Sequence, residues 1–200
     1  GRNLNTAEAL EEAGLEPVKM HIREALSLIN GTSAMSGIGI VNVIYASRLL
    51  DWTVAASALI NEVVESYDDH FSQELNRVKL HPGQLEITGK MQKILGDSRL
   101  TKKRAEDLFN GTNGETVFSK KIQEYYSLRC ITQILGPVTD TIHGAEKVVL
   151  NEINSVNDNP VIDFRNGNVF HGGNFHGDYI SLEMDKLKLS VTKLSMLAER

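Results

Sequence analysis

Apolar residues recur at three- and four-residue intervals along most of the chain, the spacing that lines one face of an α-helix. Thr6 to Ala13 opens the pattern and Gly14 stops it, because glycine best tolerates a left-handed cap. A short helix is predicted from His21 to Leu28, ending at Ile29-Asn30-Gly31-Thr32, where Thr32 or Ser33 is able to cap the next one. That next helix runs from about Ser33 to Ser66. At ~1.5 Å per residue its roughly 34 residues span on the order of 50 Å, a length that belongs to a bundle of helices packed side by side. Gly37 and Gly39 inside it read as close-packing positions, since a dinucleotide loop needs a preceding strand and a third glycine. Asp68 to Asn76 is polar, and His81-Pro82-Gly83 introduces a helix that continues through Lys93 toward Gly96. Ser98 to Gly114 reads as a charged, mobile outer segment. Helix resumes near Thr116, passes through Gln123 and Arg129 and stops at Gly136-Pro137, with further helices over Val138 to Val156 and His176 to Arg200. The one strand pattern, Val161-Ile162-Asp163-Phe164 and Asn168-Val169-Phe170, is joined through Asn166-Gly167, a pair suited to a tight hairpin turn. The predicted fold class is all-α in the main: one domain, a long-helix bundle with one small β-hairpin near Asn166-Gly167.

Composition narrows the function. With 41% apolar and 24% charged residues in 200, the chain is able to bury a real core and is not disordered as a whole. A net charge of −5 with scattered Lys and Arg gives no electrostatic footprint for nucleic acid. The one run of three basic residues, Lys102-Lys103-Arg104, reads as a solvated face near a helix start. The apolar stretch from Ala34 to Val64 is interrupted by Asn42, Arg48, Asp51 and Asn61, so it reads as a buried helix rather than a membrane span. A single cysteine, Cys130, excludes an intrachain disulfide and points to a reducing, cytoplasmic setting. The Asn-Gly-Thr triplets at Asn30 and Asn110 match a glycosylation pattern that carries little weight beside the polar opening Gly1-Arg2-Asn3-Leu4-Asn5.

Three features stand apart from the scaffold. Gln123, Tyr126 and Arg129 recur every third residue, which on a helix projects an amide, a phenol and a guanidinium from one side. A guanidinium grips a carboxylate through two parallel hydrogen bonds, and a phenol and an amide beside it would orient the rest of a small molecule. Spacing alone equally fits a solvated helix face. Asn30 is placed to cap a helix or to offer its two-sided amide to a ligand. Asn157-Asp158-Asn159-Pro160 leads through the hairpin to His171-Gly172-Gly173-Asn174-Phe175-His176. Its two histidines raise metal binding, which the missing cysteine and acidic partners disfavour. Cys130 reads as a small packing residue rather than a nucleophile.

Taken together, Leu28-Ile29-Asn30-Gly31-Thr32-Ser33, Gln123-Glu124-Tyr125-Tyr126-Ser127-Leu128-Arg129-Cys130, Asn157-Asp158-Asn159-Pro160 and Gly172-Gly173-Asn174-Phe175-His176 resemble the histidine, phenylalanine and tyrosine ammonia-lyases and their aminomutase relatives. The resemblance runs over essentially the whole chain, in the family's order and spacing. It implies non-oxidative loss of ammonia from an aromatic α-amino acid to give an α,β-unsaturated acid, assisted by a methylidene-imidazolone that forms from an internal Ala-Ser-Gly. By motif match, Arg129 would hold the substrate carboxylate. Asn30 and Gln123 would hydrogen-bond to substrate or prosthetic group, catalytic Tyr126 would stand beside the electrophile, and Phe175 would pack against the substrate ring or the prosthetic group. The resemblance also implies a homotetramer built on bundled long helices.

No Ala-Ser-Gly occurs in this sequence: Ala46-Ser47 precedes Arg48, and Ser36-Gly37 follows Met35. The chain is therefore expected to be the central helical portion of a larger enzyme, with the prosthetic-group segment upstream and a C-terminal part downstream, and to be inactive alone. Ser33 after Asn-Gly-Thr, where histidine-specific members tend to carry glutamine, favours tyrosine or phenylalanine as substrate over histidine. The competing expectations are an aminomutase of the same family and a non-catalytic helical scaffold for oligomerisation.

Overall fold

A computed structural model of the chain describes residues 2–109 and 120–200. The Asn110-Gly111-Thr112 triplet, the far part of the charged segment to Gly114 and the helix start near Thr116 lie outside the described residues. The chain divides into two compact units, one taking in everything up to Thr32 together with Val156–His176, the other Ser33–Ser155 with Gly177–Arg200.

In the first unit, α1 (Thr6–Glu12) begins at a capping box: Asn5 Oδ1 accepts from Glu8 N at 3.0 Å, and Glu8 Oε2 accepts from Asn5 N at 3.3 Å. Gly14, at φ +67°, ends it as the pattern requires. Helix α2 (Glu24–Ile29) starts later than His21, because Arg23 takes a left-handed φ of 72° immediately ahead of it. Strands β1 (Val161–Asp163) and β2 (Asn168–Phe170) pair antiparallel with Val161 opposite Phe170 and Asp163 opposite Asn168. The hairpin is where the Asn166-Gly167 pair puts it, with a wider turn than the tight one expected. Phe164 leaves the strand, Phe164–Gly167 forms a four-residue loop, and only Gly167 there has a positive φ. The Asp163 carboxylate replaces the tight-turn geometry by accepting from Asn166 Nδ2 at 2.7 Å and from the amides of Arg165 and Asn166. The Asn166 side-chain bond holds that carboxyl below its ordinary range.

The second unit is the helical bundle. Helix α3 (Ser33–Val63) is followed by Glu65 at φ 52°, and Ser66 N then donates to Asn61 O at 3.0 Å, which closes the helix end just short of the predicted Ser66. One face, carrying Gly39, Val43, Ala46, Leu50, Val54 and Ala58, is buried. Apolar residues also cover the other faces, where Ile38, Leu59 and Val63 are exposed and Trp52 is 75% exposed. The buried-helix expectation therefore holds for one face only. By length and composition this helix would suffice to cross a membrane, yet its buried face packs on other helices of the bundle. Of the two glycines read as packing positions, Gly39 lies against Ile180, Val149 and Met184, while Gly37 faces open space.

A 3-10 turn over Asp68–Phe71 and the short α4 (Gln73–Asn76) bury His70, Phe71 and Asn76, although the stretch reads as polar. Helix α5 (Pro82–Leu95) starts with proline at its first turn, as predicted, and α6 (Arg104–Asp107) and α7 (Tyr126–Arg129) are single turns. Helix α8 (Ile131–Ile153) runs straight through Gly136-Pro137, which the sequence marks as a stop. Pro137 forgoes one helix hydrogen bond, a cost of about 3 kcal/mol in an isolated helix, and burial of α8 against α3, α5 and α9 (Asp178–Ala198) offsets it. Gly136 is there for proximity: a methyl group on it would fall 2.8 Å from Gln84 N, and one on Gly83 would fall 2.3 Å from Gly136 O. The core between these four helices is built from Leu50, Val54, Ile87, Met91, Leu135, Ile142, Ile180 and Leu187. The mainly all-α bundle with one small hairpin is thus the fold observed.

Asn76 is completely buried and uses its whole hydrogen-bonding capacity. Its Nδ2 donates to His70 O at 3.1 Å and Ser72 O at 2.8 Å, and its Oδ1 accepts from Gln84 Nε2 at 2.9 Å and Thr132 Oγ1 at 2.8 Å. Asn76→Ala removes the side-chain partner of His70 O and Gln84 Nε2, while Ser72 O keeps the Asn76 backbone N–H and Thr132 Oγ1 keeps Gln133 Oε1, so the bundle is expected to lose about 2 kcal/mol or more in urea unfolding; a loss under about 1 kcal/mol would show that water replaces the amide. His70 is buried with its Nε2 unpartnered, and burial lowers its pKa below the ordinary 6.5 against the opposing pull of Asp69. Arg104, Glu124 and Arg129 also act on it electrostatically. Since the unfolded chain binds this proton more readily, the contribution is lost as pH falls through and below about 6.5. Between about pH 7 and pH 5, the wild-type chain is expected to lose more stability than His70→Gln, and equal losses would remove His70 as the cause.

Candidate active site

The stretch that carries Gln123, Tyr126 and Arg129 is not one helix. Gln123 lies in a bend, Tyr125 is extended at φ −61°, ψ 155°, and only Tyr126–Arg129 turns helically. The reason lies in the carbonyls. A helix through this stretch would direct the Lys121 and Ile122 carbonyls to amides four residues on. Here the Tyr67 hydroxyl sits 3.3 Å from Lys121 O, and an Arg104 guanidinium nitrogen donates to Ile122 O. The three residues therefore do not share a helix face, although all three sit within one short turn-and-helix segment.

Within that segment Arg129 stacks its guanidinium 4.8 Å from the centre of the Tyr126 ring. Its Nε is buried without a hydrogen bond, and among the described residues no carboxylate forms an ion pair with it. Tyr126 is 73% exposed, so its hydroxyl is open to an incoming molecule. Glu124, two residues before Tyr126, turns inward instead: its carboxylate is buried and paired with Lys121 Nζ at 2.6 Å. Cys130 is partly buried and acts as the boundary residue between α7 and α8.

Sequence reading missed the charged cluster behind this segment. Arg104 belongs to the basic run expected to be a solvated face, yet its side chain is 18% exposed and bonds to Asp69 through Nε at 2.6 Å and Nη2 at 3.1 Å. That pairing raises its already high pKa. Lys102 does lie at the surface, paired with Glu65 at 2.7 Å. Burial raises the Tyr67 pKa, and a 3.1 Å contact from its hydroxyl to Asp107 Oδ2 adds to the effect. Lys120 binds Asp107 in turn and holds its carboxyl low. Nothing in the spacing of Tyr67, Asp69 and Arg104 signals this cluster, and none of the three adjoins the motif in sequence.

Asn30 and Phe175 belong to the first unit. Asn30 ends α2, its backbone N–H donating to Leu26 O at 2.8 Å, so it is a C-terminal rather than an N-terminal cap, and its side-chain amide makes no hydrogen bond among the described residues. Gly31 follows at φ +82°, where a methyl group would lie 2.7 Å from Asn157 O, so the Asn-Gly-Thr and Asn-Asp-Asn-Pro motifs meet backbone to backbone. Arg23 donates to Asn159 O, and Asn174 Nδ2 donates to Val156 O at 3.1 Å. Three of the four motifs thus converge on one small unit. Phe175 is 45% exposed in its glycine-rich turn. His171 and His176 are both exposed, and among the described residues no group of three or more His, Cys, Asp or Glu side chains is placed to hold a metal ion. A groove of about 550 Å³ beside α7, walled by Trp52, Ile60, Tyr125, Leu128 and Leu197, includes none of the predicted site residues.

Residues 1–200 match the family model described as aromatic amino acid lyase. The chain is 38% identical over 211 residues to a tyrosine ammonia-lyase of Cupriavidus metallidurans, covering 100% of this chain and 38% of that protein. It is 34% identical over 200 residues to a histidine ammonia-lyase of Myxococcus xanthus, covering 100% and 37% respectively. The crystal structure of a tyrosine aminomutase from Streptomyces globisporus superposes with a TM-score of 0.87 at 37% identity, over 100% of this chain and 39% of that one. The chain spans less than two fifths of the length of these relatives. It belongs to the aromatic amino acid lyase family, which includes these ammonia-lyases and aminomutases.

Proposed function

We propose that the protein containing this chain eliminates ammonia from an aromatic L-amino acid, tyrosine or phenylalanine before histidine, to give the α,β-unsaturated acid. The observation that supports this best is the Arg129 guanidinium, stacked on Tyr126, with a buried Nε left without a partner. A half-buried cation without a protein counter-ion favours an anionic ligand, and the planar guanidinium matches a carboxylate through two parallel bonds. Tyr126 then places a phenol beside the bound amino acid, able to donate or accept a hydrogen bond near its reacting carbons.

The family's methylidene-imidazolone supplies an electrophile that activates such a substrate toward loss of ammonia. The donor set here suits it. The side-chain amides of Asn30 and Gln123 make no hydrogen bonds among the described residues, so each keeps a donor and an acceptor for the carbonyl and ring nitrogen of such a group or for substrate. Phe175 offers an exposed ring face for packing against an aromatic substrate or the prosthetic group. A homo-oligomer is part of the same proposal: Ile38, Trp52, Leu59 and Val63 on α3 are exposed and offer apolar surface to a partner.

A second reading, aminomutase, has the Streptomyces globisporus likeness in its favour. It differs in where the amine ends: on the β-carbon rather than free in solution. In the full-length protein, Arg129→Lys is expected to lower kcat/KM by about tenfold or more, since an ammonium keeps the charge and loses the two-pronged geometry. Following the unsaturated acid by absorbance and any β-amino acid by chromatography, with tyrosine, phenylalanine and histidine offered in turn, checks the loss and separates lyase from mutase. Unchanged kcat/KM in Arg129→Lys would return Arg129 to a structural role.

A further inference from the structure

Arg104 touches neither Tyr126 nor Arg129, yet it is bound on every side. Its guanidinium holds both Asp69 oxygens, at 2.6 and 3.1 Å, donates to Ile122 O, and lies 4.1 Å over the Tyr67 ring. Tyr67 in turn reaches Lys121 O at 3.3 Å and Asp107 Oδ2 at 3.1 Å, and Lys120 Nζ binds Asp107 at 2.8 Å. Three consecutive residues, Lys120, Lys121 and Ile122, are thereby fastened to this cluster by one side chain and two carbonyls. The residue that follows is Gln123.

We propose that Arg104 is a positioning residue for the ammonia-lyase site, holding residues 120–122 off the helical path so that Gln123 precedes Tyr126 and Arg129 in a fixed bend. The proposal rests on the reading above that Gln123 and Arg129 serve the substrate. Two carbonyls are diverted from helix bonding, and only a planar group with several fixed donors serves a carboxylate on one side and a carbonyl on the other. An exposed ion pair would contribute little to such a hold. Here the Arg104 side chain is mostly buried while Asp69 stays 44% exposed, and the pair uses both carboxylate oxygens and is backed by an aromatic ring. If the hold is released, the carbonyls of Lys121 and Ile122 are free to accept from amides four residues on, and the bend at Gln123 is no longer imposed.

The test is a double-mutant cycle in the full-length protein: Arg104→Gln, Gln123→Ala and the pair. Arg104→Gln is expected to lower kcat by about tenfold to a hundredfold, the scale set by misplacement of a site group by about 1 Å. In the Gln123→Ala background the same change should cost under about threefold, because the residue it positions is already gone. Arg104→Lys should not restore kcat, since one ammonium does not span Asp69 and Ile122 O together. Where Arg104→Gln does not accumulate as folded protein, Tyr67→Phe removes only the hydroxyl that lies between Asp107 Oδ2 and Lys121 O and should show the same coupling at smaller size. Independent, multiplying losses from Arg104 and Gln123 would overturn the proposal, as would full kcat in Arg104→Gln beside a damaged Gln123→Ala. Full activity in Gln123→Ala itself would overturn the underlying site reading as well, which distinguishes the two failures.

Discussion

Burying the amide of Asn76 obliges several elements to meet at one point. An amide without water must find two acceptors and two donors inside the protein, and here they come from the 3-10 turn at His70, from Ser72, from α5 through Gln84 and from α8 through Thr132. Each bond alone is worth about 1 kcal/mol, but leaving any partner unmet costs more, so the four segments hold together or lose the site jointly. The Gly83–Gly136 approach acts beside it. Two missing side chains bring α5 and α8 close enough for Gln84 and Thr132 to reach the same oxygen.

From that point the geometry of the motif follows along the chain. Thr132 fixes the first turn of α8, and Arg129 stands three residues earlier, at the end of α7. On the upstream side the charged cluster of Asp69, Arg104 and Tyr67 takes the carbonyls of Lys121 and Ile122. The 3-10 turn contributes to both supports, giving His70 O to Asn76 and Asp69 to Arg104. Packing energy and site geometry thus share the same few residues, and His70, buried between them and kept neutral by that burial, reports on both.

Much of the helical frame was legible because it rests on local signals: the glycine stop at Gly14, Pro82 at a first helical turn and the apolar periodicity of α3 and α9. The misreadings share one cause, tertiary context overriding a local rule. Gly136-Pro137 reads as a stop until three neighbouring helices bury α8 around it. Asn166-Gly167 reads as a tight turn until the Asp163 carboxylate takes the amides of Arg165 and Asn166. Gln123, Tyr126 and Arg129 read as one helix face until side chains from Tyr67 and Arg104 claim the carbonyls that face would need. For the site, the residue types were readable and their support was not. Arg129 was evident from a motif, whereas Arg104, in a run of three basic residues, carries no local sign of being mostly buried.

Arg129, half-buried and with no ion-pair partner among the described residues, is proposed to take the carboxylate of an amino acid. A crystal structure of the full-length protein with the α,β-unsaturated acid of tyrosine bound tests it most directly. Both carboxylate oxygens are expected within about 3 Å of Arg129 guanidinium nitrogens, beside the Tyr126 hydroxyl. A carboxylate bound by other groups, with Arg129 paired to a protein acid, would contradict it.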